Sequence, residues 1–321
     1  MKKQLLIAAV AATMTSAAIA DISITGSAKA NYLNTDSKVI ANNSNTFSSE
    51  INLGIKGTNG GSGVVVNLQS KNQADQADGT ATSRGFDIQD SYVTSSIADV
   101  AVQMGSWRGA HNLLEDGDTT TANRFKATTT IAGVTVTYED GSSTAATGES
   151  IKLAGEVSGI SVSHKMYNNG SGVDETDTSV SGSLGGVNVA YRTIDSDTNA
   201  SDKDSLEVSY EMNGVTLTYA EFGSDSANTS NITSDGSLGD INAVDAQGFM
   251  VSTAMAGNTI KLRTVDTKVG AHTNGENTIN SIIVTRPLAS GATFEATYTD
   301  TDLTGTGEDK TTLDLELAVK F

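Results

Sequence analysis

The side chains that most often carry catalysis are few and scattered in this chain. Its three histidines, His111, His164 and His272, lie far apart in the sequence, and there is no cysteine. None of them belongs to a set of ligands at the spacing of a zinc site. The cluster Gly61-Ser62-Gly63 lacks the lysine and hydroxyl residue of a phosphate-binding loop. The sequence therefore predicts a protein that is not an enzyme and holds no cofactor.

Carboxylates are the abundant chemical groups. The chain has 38 Asp and Glu against 20 Lys and Arg, a formal net charge of −18. This balance disfavours nucleic acid as a partner, because nucleic acid is itself polyanionic. Surface-bound divalent cations suit such a chain, but solvated acidic loops explain the composition as well. The densest run, Asp174-Glu175-Thr176-Asp177, lacks the ligand order and the glycine of a calcium loop, so solvation is the favoured interpretation.

The elements that carry these side chains repeat one pattern. A stretch that alternates apolar and polar residues runs into a tight turn, a second such stretch follows, and a longer polar loop comes next. Turns such as Gly185-Gly186 and Asn213-Gly214 favour the positive φ of two-residue hairpins. Eight hairpins, with one strand before and one after them, predict 18 strands. Because the parity of 86–97 and 277–286 is ambiguous, 16 strands remain the alternative.

Alternation places the apolar residues of each strand on one face and the charged residues on the other. This pattern fits a soluble barrel with an apolar interior, and it equally fits a membrane barrel with an apolar exterior. A soluble closed barrel of so many strands would have an interior too wide for side chains to fill. We therefore predict an all-β, transmembrane, antiparallel up-and-down barrel that forms one domain over 21–321, with its apolar faces toward lipid.

The two ends of the chain predict export and assembly. Lys2 and Lys3 precede an apolar run that ends in Ala18-Ile19-Ala20, so we expect a signal peptide at 1–20 that is cleaved before Asp21. At the other end, the final predicted strand carries its apolar residues on one face and stops on an aromatic. These apolar residues are Leu313, Leu315, Leu317, Val319 and Phe321.

Together, the signal peptide, the start Asp21-Ile-Ser-Ile-Thr-Gly26, the alternating strands and the terminal Lys320-Phe321 resemble the Gram-negative general porin family. The resemblance implies a homotrimer in the cell outer membrane, with a water-filled channel in each barrel for passive diffusion of small hydrophilic solutes and ions. It also implies contact with outer-membrane lipid and lipopolysaccharide, and recognition of Phe321 by the barrel-assembly machinery. The predicted strand number is a departure, because general porins typically have 16.

The resemblance further implies that the third long loop folds into the barrel and narrows it. In this chain that loop is 107–121, and an ordinary external loop is the alternative interpretation. Its acidic residues would face basic side chains of the inward parity, which predicts a transverse electric field at the constriction. The predicted constriction residues are Arg108, Glu115, Asp116, Asp118, Lys29, Arg124 and Lys126.

A second class of protein shares much of this composition. A secreted acidic β-rich adhesin or surface-layer protein, without a pore, would also be rich in Gly, Thr and Asp and free of cysteine. It would show a short fixed repeat, and it would have no reason to end on an aromatic residue. The adhesin is therefore the alternative function, and a requirement for detergent during extraction would distinguish the two.

Overall fold

The computed structural model describes residues 21–38, 43–70, 86–108, 121–141, 148–168, 173–197, 202–225, 229–230, 242–269, 275–303 and 309–321. The predicted signal peptide at 1–20 lies outside these ranges. Within them no helix is long and apolar enough to cross a bilayer. The regular elements are strands, with the bounds β1 Asp21–Ser37, β2 Ser44–Asn59, β3 Ser62–Ser70, β4 Phe86–Ile97, β5 Val100–Arg108, β6 Thr121–Ile131, β7 Val134–Gly141, β8 Ser150–Val157, β9 Ile160–Asn168, β10 Asp174–Leu184, β11 Val187–Ser196, β12 Lys203–Met212, β13 Val215–Ser224, β14 Thr229–Ser230, β15 Asn242–Ala243, β16 Asp245–Met255, β17 Asn258–Val269, β18 Gly275–Pro287, β19 Ala292–Leu303 and β20 Lys310–Lys320.

Eighteen of these strands form one closed sheet. Each strand pairs antiparallel with its neighbours in the chain, and β1 closes the ring by pairing with both β2 and β20. The two-residue strands β14 and β15 pair only with each other, between β13 and β16. The prediction of 18 strands is confirmed, and the alternative of 16 is wrong.

Short turns join the strands at one end of the barrel, which we call the short-turn end, and longer segments join them at the long-loop end. The turn residues Ala132 and Gly133 have φ of 51° and 84°, and Asn213 and Gly214 have φ of 54° and 78°. Two successive positive φ values define the hairpin turn whose twist matches the flanking strands. Glycine at the second position meets this requirement without strain.

The ambiguous parity of β4 has a structural cause. The pairing register between β3 and β4 shifts at Asn67 and Leu68, which marks a β-bulge. A bulge places two residues of one strand opposite one residue of its partner, so the alternation changes phase there. Ile88 and Val93 are separated by an odd number of positions and are nevertheless both exposed, at 61% and 51%.

Exposure decides which face of the sheet is outside. The large apolar side chains that remain exposed, such as Ile24 at 61% and Leu184 at 85%, share one face of the pairing ladders. Buried side chains, including Arg124, Glu207 and Val265, lie on the opposite face. Side chains crowd on the concave side of a closed sheet and splay apart on its convex side, so the apolar face is the outer one. An apolar outer belt with closed backbone pairing is what the hydrocarbon core of a membrane requires.

An ion pair links β1 and β20 at the long-loop end. We call the pairing of these two strands, which closes the barrel, the seam. Lys38, which follows β1, donates a hydrogen bond from its ammonium to the carboxylate of Asp309, which precedes β20. The Lys38 backbone N–H also donates to the carbonyl of Asp309 over 3.2 Å. The hydrogen bond and the negative charge of Asp309 raise the pKa of Lys38 above its ordinary value of 10.5.

We expect Lys38 to keep its proton above pH 10.5 in an NMR titration of ¹³C-methylated protein. Because the pKa is raised in the folded state, the pair stabilises the seam fully below pH 10.5 and the contribution is lost as pH rises through the raised pKa. Asp309→Asn should return the pKa of Lys38 to the ordinary range for lysine, whereas Asp300→Asn should change this pKa little. A Lys38 that loses its proton at or below pH 10.5 before any substitution would contradict the pair.

Candidate functional site

Ionisable side chains line the inner wall at a common height. Lys126, Lys152 and Lys165 each lie five positions from the short-turn end of their strands, and Glu316 lies five positions before Phe321. Strands of a barrel share one tilt, so residues equally far from the same end lie at similar heights along the axis. These groups therefore belong to one zone near the middle of the wall.

Five basic side chains lie close together on one side of this wall, on strands that also carry the inward carboxylates of Glu139, Glu156 and Asp177. We call the set on β6, β8, β9 and β11 the basic arc, and it consists of Arg124, Lys126, Lys152, Lys165 and Arg192. Lys152 and Lys165 are direct cross-strand partners. Like charges directly opposite each other destabilise a sheet. The Lys165 ammonium lies 4.5 Å from the ring centroid of Tyr167, which offsets part of this repulsion.

Carboxylates hold the two arginines of the basic arc against the wall. The Nη1 of Arg124 donates to Oε1 of Glu139 over 3.0 Å. Arg192 donates from Nε and Nη2 to the two oxygens of Asp177, over 2.9 and 2.7 Å. A bidentate pair of this kind fixes the plane of the guanidinium. The positively charged side chains of the arc that can change conformation are therefore its lysines.

Four carboxylates lie together on another part of the wall, which also carries the inward side chains of Lys56 and Lys320. We call this set the acidic arc, and it consists of Glu50, Glu295, Asp314 and Glu316 on β2, β19 and β20. Glu295 and Glu316 are direct cross-strand partners, as the two lysines are. Thr285 donates from its hydroxyl to Glu295 over 2.8 Å. Lys29 also lies in this arc, with its Nζ 3.8 Å from Oε2 of Glu50.

The two like-charged pairs face each other across the barrel. Nine strand-to-strand steps separate β9 from β20 in either direction around the ring of eighteen, and the same holds for β8 and β19. Lys152–Lys165 and Glu295–Glu316 are therefore diametrically opposed. These two pairs place opposite charges across the lumen, on a wall that also carries the inward side chains of Glu156, Lys261, Arg263 and Lys320.

The predicted constriction residues fall into three groups. Arg124 and Lys126 lie together on the inward face of β6, in the basic arc. Lys29 is not beside them, because β1 is five steps from β6 around the ring. Arg108 ends β5 and its backbone pairs with Thr121. Glu115, Asp116 and Asp118 lie outside the described residues, so the constriction loop at 107–121 stays a prediction.

Parity reasoning missed some inward residues. Glu139 follows the outward Tyr138 and could have been found by extending the alternation by one residue. The sequence did not indicate that Asp177 faces inward, because Thr and Ser occupy both faces of β10.

One patch of the inner wall is apolar, although the alternation places polar residues on that face. It comprises Ile194, Ala220, Phe222, Ala246 and Val265. Among the described residues, no three His, Asp or Glu side chains are placed to hold a metal ion.

An apolar outer belt around a wall lined with charge describes a pore, and comparison with known proteins identifies which kind. The family model described as Gram-negative porin matches residues 7–317. The chain belongs to the Gram-negative porin family. A search of curated protein sequences gives no match.

Solved structures share the fold of this porin. The crystal structure of OccAB4 from Acinetobacter baumannii is 9% identical with a TM-score of 0.71, over 94% of this chain and 98% of that one. The structure of OpdQ from Pseudomonas aeruginosa is 12% identical with a TM-score of 0.71, over 94% and 99%. At these identities the likeness establishes the barrel architecture. As a member of the Gram-negative porin family, the chain is a diffusion channel of the outer membrane in contact with its lipid, and the adhesin alternative is wrong.

Proposed function

We propose that solutes cross this porin through a transverse electric field that its wall creates. The observation that carries the proposal is the opposition of Lys152–Lys165 to Glu295–Glu316 at similar heights. Fixed opposite charges orient a dipolar solute and hinder an apolar one, because a solute must exchange its water for the fixed charges. Small zwitterionic or hydrogen-bonding solutes are the class that such a field passes most readily.

The proposal includes the loop 107–121 as the constriction. Its support is the predicted acidic run Glu115, Asp116 and Asp118, together with the position of Trp107 at the base of the loop. Trp107 is buried and lies edge-on to Tyr92 at a centroid distance of 5.8 Å. We propose that the loop continues from this inward-facing residue into the lumen. Arg124 and Lys126 would then complete the narrow region from the wall.

Replacing Arg124 and Lys126 with Gln should move the reversal potential of the channel toward cation preference in planar bilayers under a salt gradient. We expect a severalfold change in the permeability ratio, because positive charge at a constriction acts on every passing ion. Lys56→Gln is the matched control, since Lys56 is inward but nearer the short-turn end. An unchanged ion preference and conductance in the double variant would rule both residues out of the constriction.

The same proposal extends to assembly and partners. We propose a homotrimer that contacts lipopolysaccharide, assembled by machinery that reads Phe321, with passive transport as its entire activity and no catalysis. Diffusion through a fixed pore needs no cofactor, and surface-bound divalent cations are the one addition that the acidic composition favours. Gel migration of unheated protein, with and without chelator, tests the trimer and the cations together.

A further inference from the structure

The last residue of the chain lies on a glycine of the first strand. The Gly26 N–H donates to the Phe321 carbonyl over 2.7 Å, and the Phe321 N–H donates to the Gly26 carbonyl over 2.9 Å. This reciprocal pair continues the ladder of β1 and β20, whose next pair is Ser27 with Lys320. Gly26 therefore sits at the point where the barrel closes and the chain ends.

The aromatic ring of Phe321 fills the space above Gly26. A Cβ placed on Gly26 would lie 2.5 Å from both Cε2 and Cζ of the ring, closer than real atoms approach. The Asn52 carbonyl oxygen, at 3.1 Å from that position, is a much milder contact. Gly26 is not among the residues with positive φ, so its backbone does not itself require glycine. A side chain at this position would therefore have to displace the ring.

A glycine inside a strand is otherwise a weakness. It has no side chain to pack, and it leaves the backbone hydrogen bonds around it uncovered. An aromatic ring from the neighbouring strand compensates by covering the glycine. Phe321 remains 64% exposed, so the ring rests on the outer surface of β1 and is not part of a packed core.

We propose that Gly26 is the positioning residue for Phe321, and that the ring seated on Gly26 is the latch that holds the last strand to the first. Among the described residues, Phe321 makes the pairing with β1 that lies nearest the short-turn end of this seam. Residues 21–25 extend past Phe321 and pair with β2 alone among the described strands. The latch acts in the finished barrel and is separate from any recognition of Phe321 during assembly.

The test measures how fast the folded porin opens. Protein isolated from outer membranes is heated in detergent at a fixed temperature, and the loss of the folded band on unheated gels is followed over time. Gly26→Ala and Phe321→Leu should each raise the rate of loss by roughly tenfold, the scale expected for a displaced side chain in a packed contact. Gly57→Ala is the control, because a Cβ at that outward strand glycine meets nothing within 4 Å.

The double variant distinguishes a latch from a general structural effect. If Gly26→Ala acts by displacing the ring, it should add little once Phe321→Leu has removed the ring. Should the single variants not reach the membrane, refolding from urea into micelles replaces isolation, with Gly26→Ala slow and the double variant no slower than Phe321→Leu. The proposal is overturned if Gly26→Ala behaves like Gly57→Ala, or if its effect is the same with and without the ring.

Discussion

Replacing Lys152 and Lys165 together with Gln should shift the reversal potential toward cations, and replacing Glu295 and Glu316 with Gln should shift it toward anions. Each double variant removes one of the two opposed pairs, the lysines or the glutamates, and leaves the charge of the other pair uncompensated. The permeability ratio should change severalfold in each case, in opposite directions, because two charges act at one height of the lumen. Bilayer recordings in a salt gradient measure both shifts, which should weaken as salt is raised.

The variant with all four substitutions tests the field apart from the net charge. Its two charge changes cancel, so ion preference should return toward that of the unaltered porin. Its discrimination between a zwitterionic solute and an uncharged solute of the same size should nevertheless be lost, which liposome swelling rates report. Lys268→Gln is the control, because Lys268 is an exposed residue of the outer face, 3.6 Å from Asp245. Equal shifts in the same direction for both double variants would contradict the transverse arrangement.

Placing an arginine on the outer belt should destabilise the porin strongly. Val208 lies four positions from the short-turn end of β12 and faces outward, with the outward Tyr219 as a cross-strand partner. Val208→Arg should lower the free energy of unfolding by roughly 2–4 kcal/mol, because a charge near the middle of the bilayer loses its hydration. Urea titration of the folded band in lipid vesicles measures this difference.

The next residue supplies the matched control. Ser209 faces inward on the same strand, between the inward carboxylates Glu207 and Glu211. Ser209→Arg introduces the same side chain at nearly the same height, but into a water-filled lumen lined by negative charge, and should change stability little. If Ser209→Arg is the more damaging substitution, the faces of the barrel are assigned the wrong way round.

Alternation was sufficient to find the strands because a sheet imposes a period of two on each of them. It failed locally where the chain departs from that period. The bulge at Asn67 and Leu68 changed the phase of β4, and the mixed Thr and Ser faces of β10 concealed Asp177. Phe222 and Ile194 break the pattern in another way, since they are apolar residues on the inner face. Each failure has a physical cause that the periodicity of one strand does not contain.

The sequence by itself determined the all-β class and the residues that share a face in most strands, and it favoured 18 strands over 16. These properties are local, since they depend on spacing within a strand or on a single turn. The tertiary structure confirmed that the apolar face is the convex one, and it alone decided that Lys29 lies away from Arg124 and Lys126. It also placed Lys152–Lys165 opposite Glu295–Glu316 and seated Phe321 on Gly26. The angular position of a residue depends on closure of the whole ring, and closure is a property that no single strand carries.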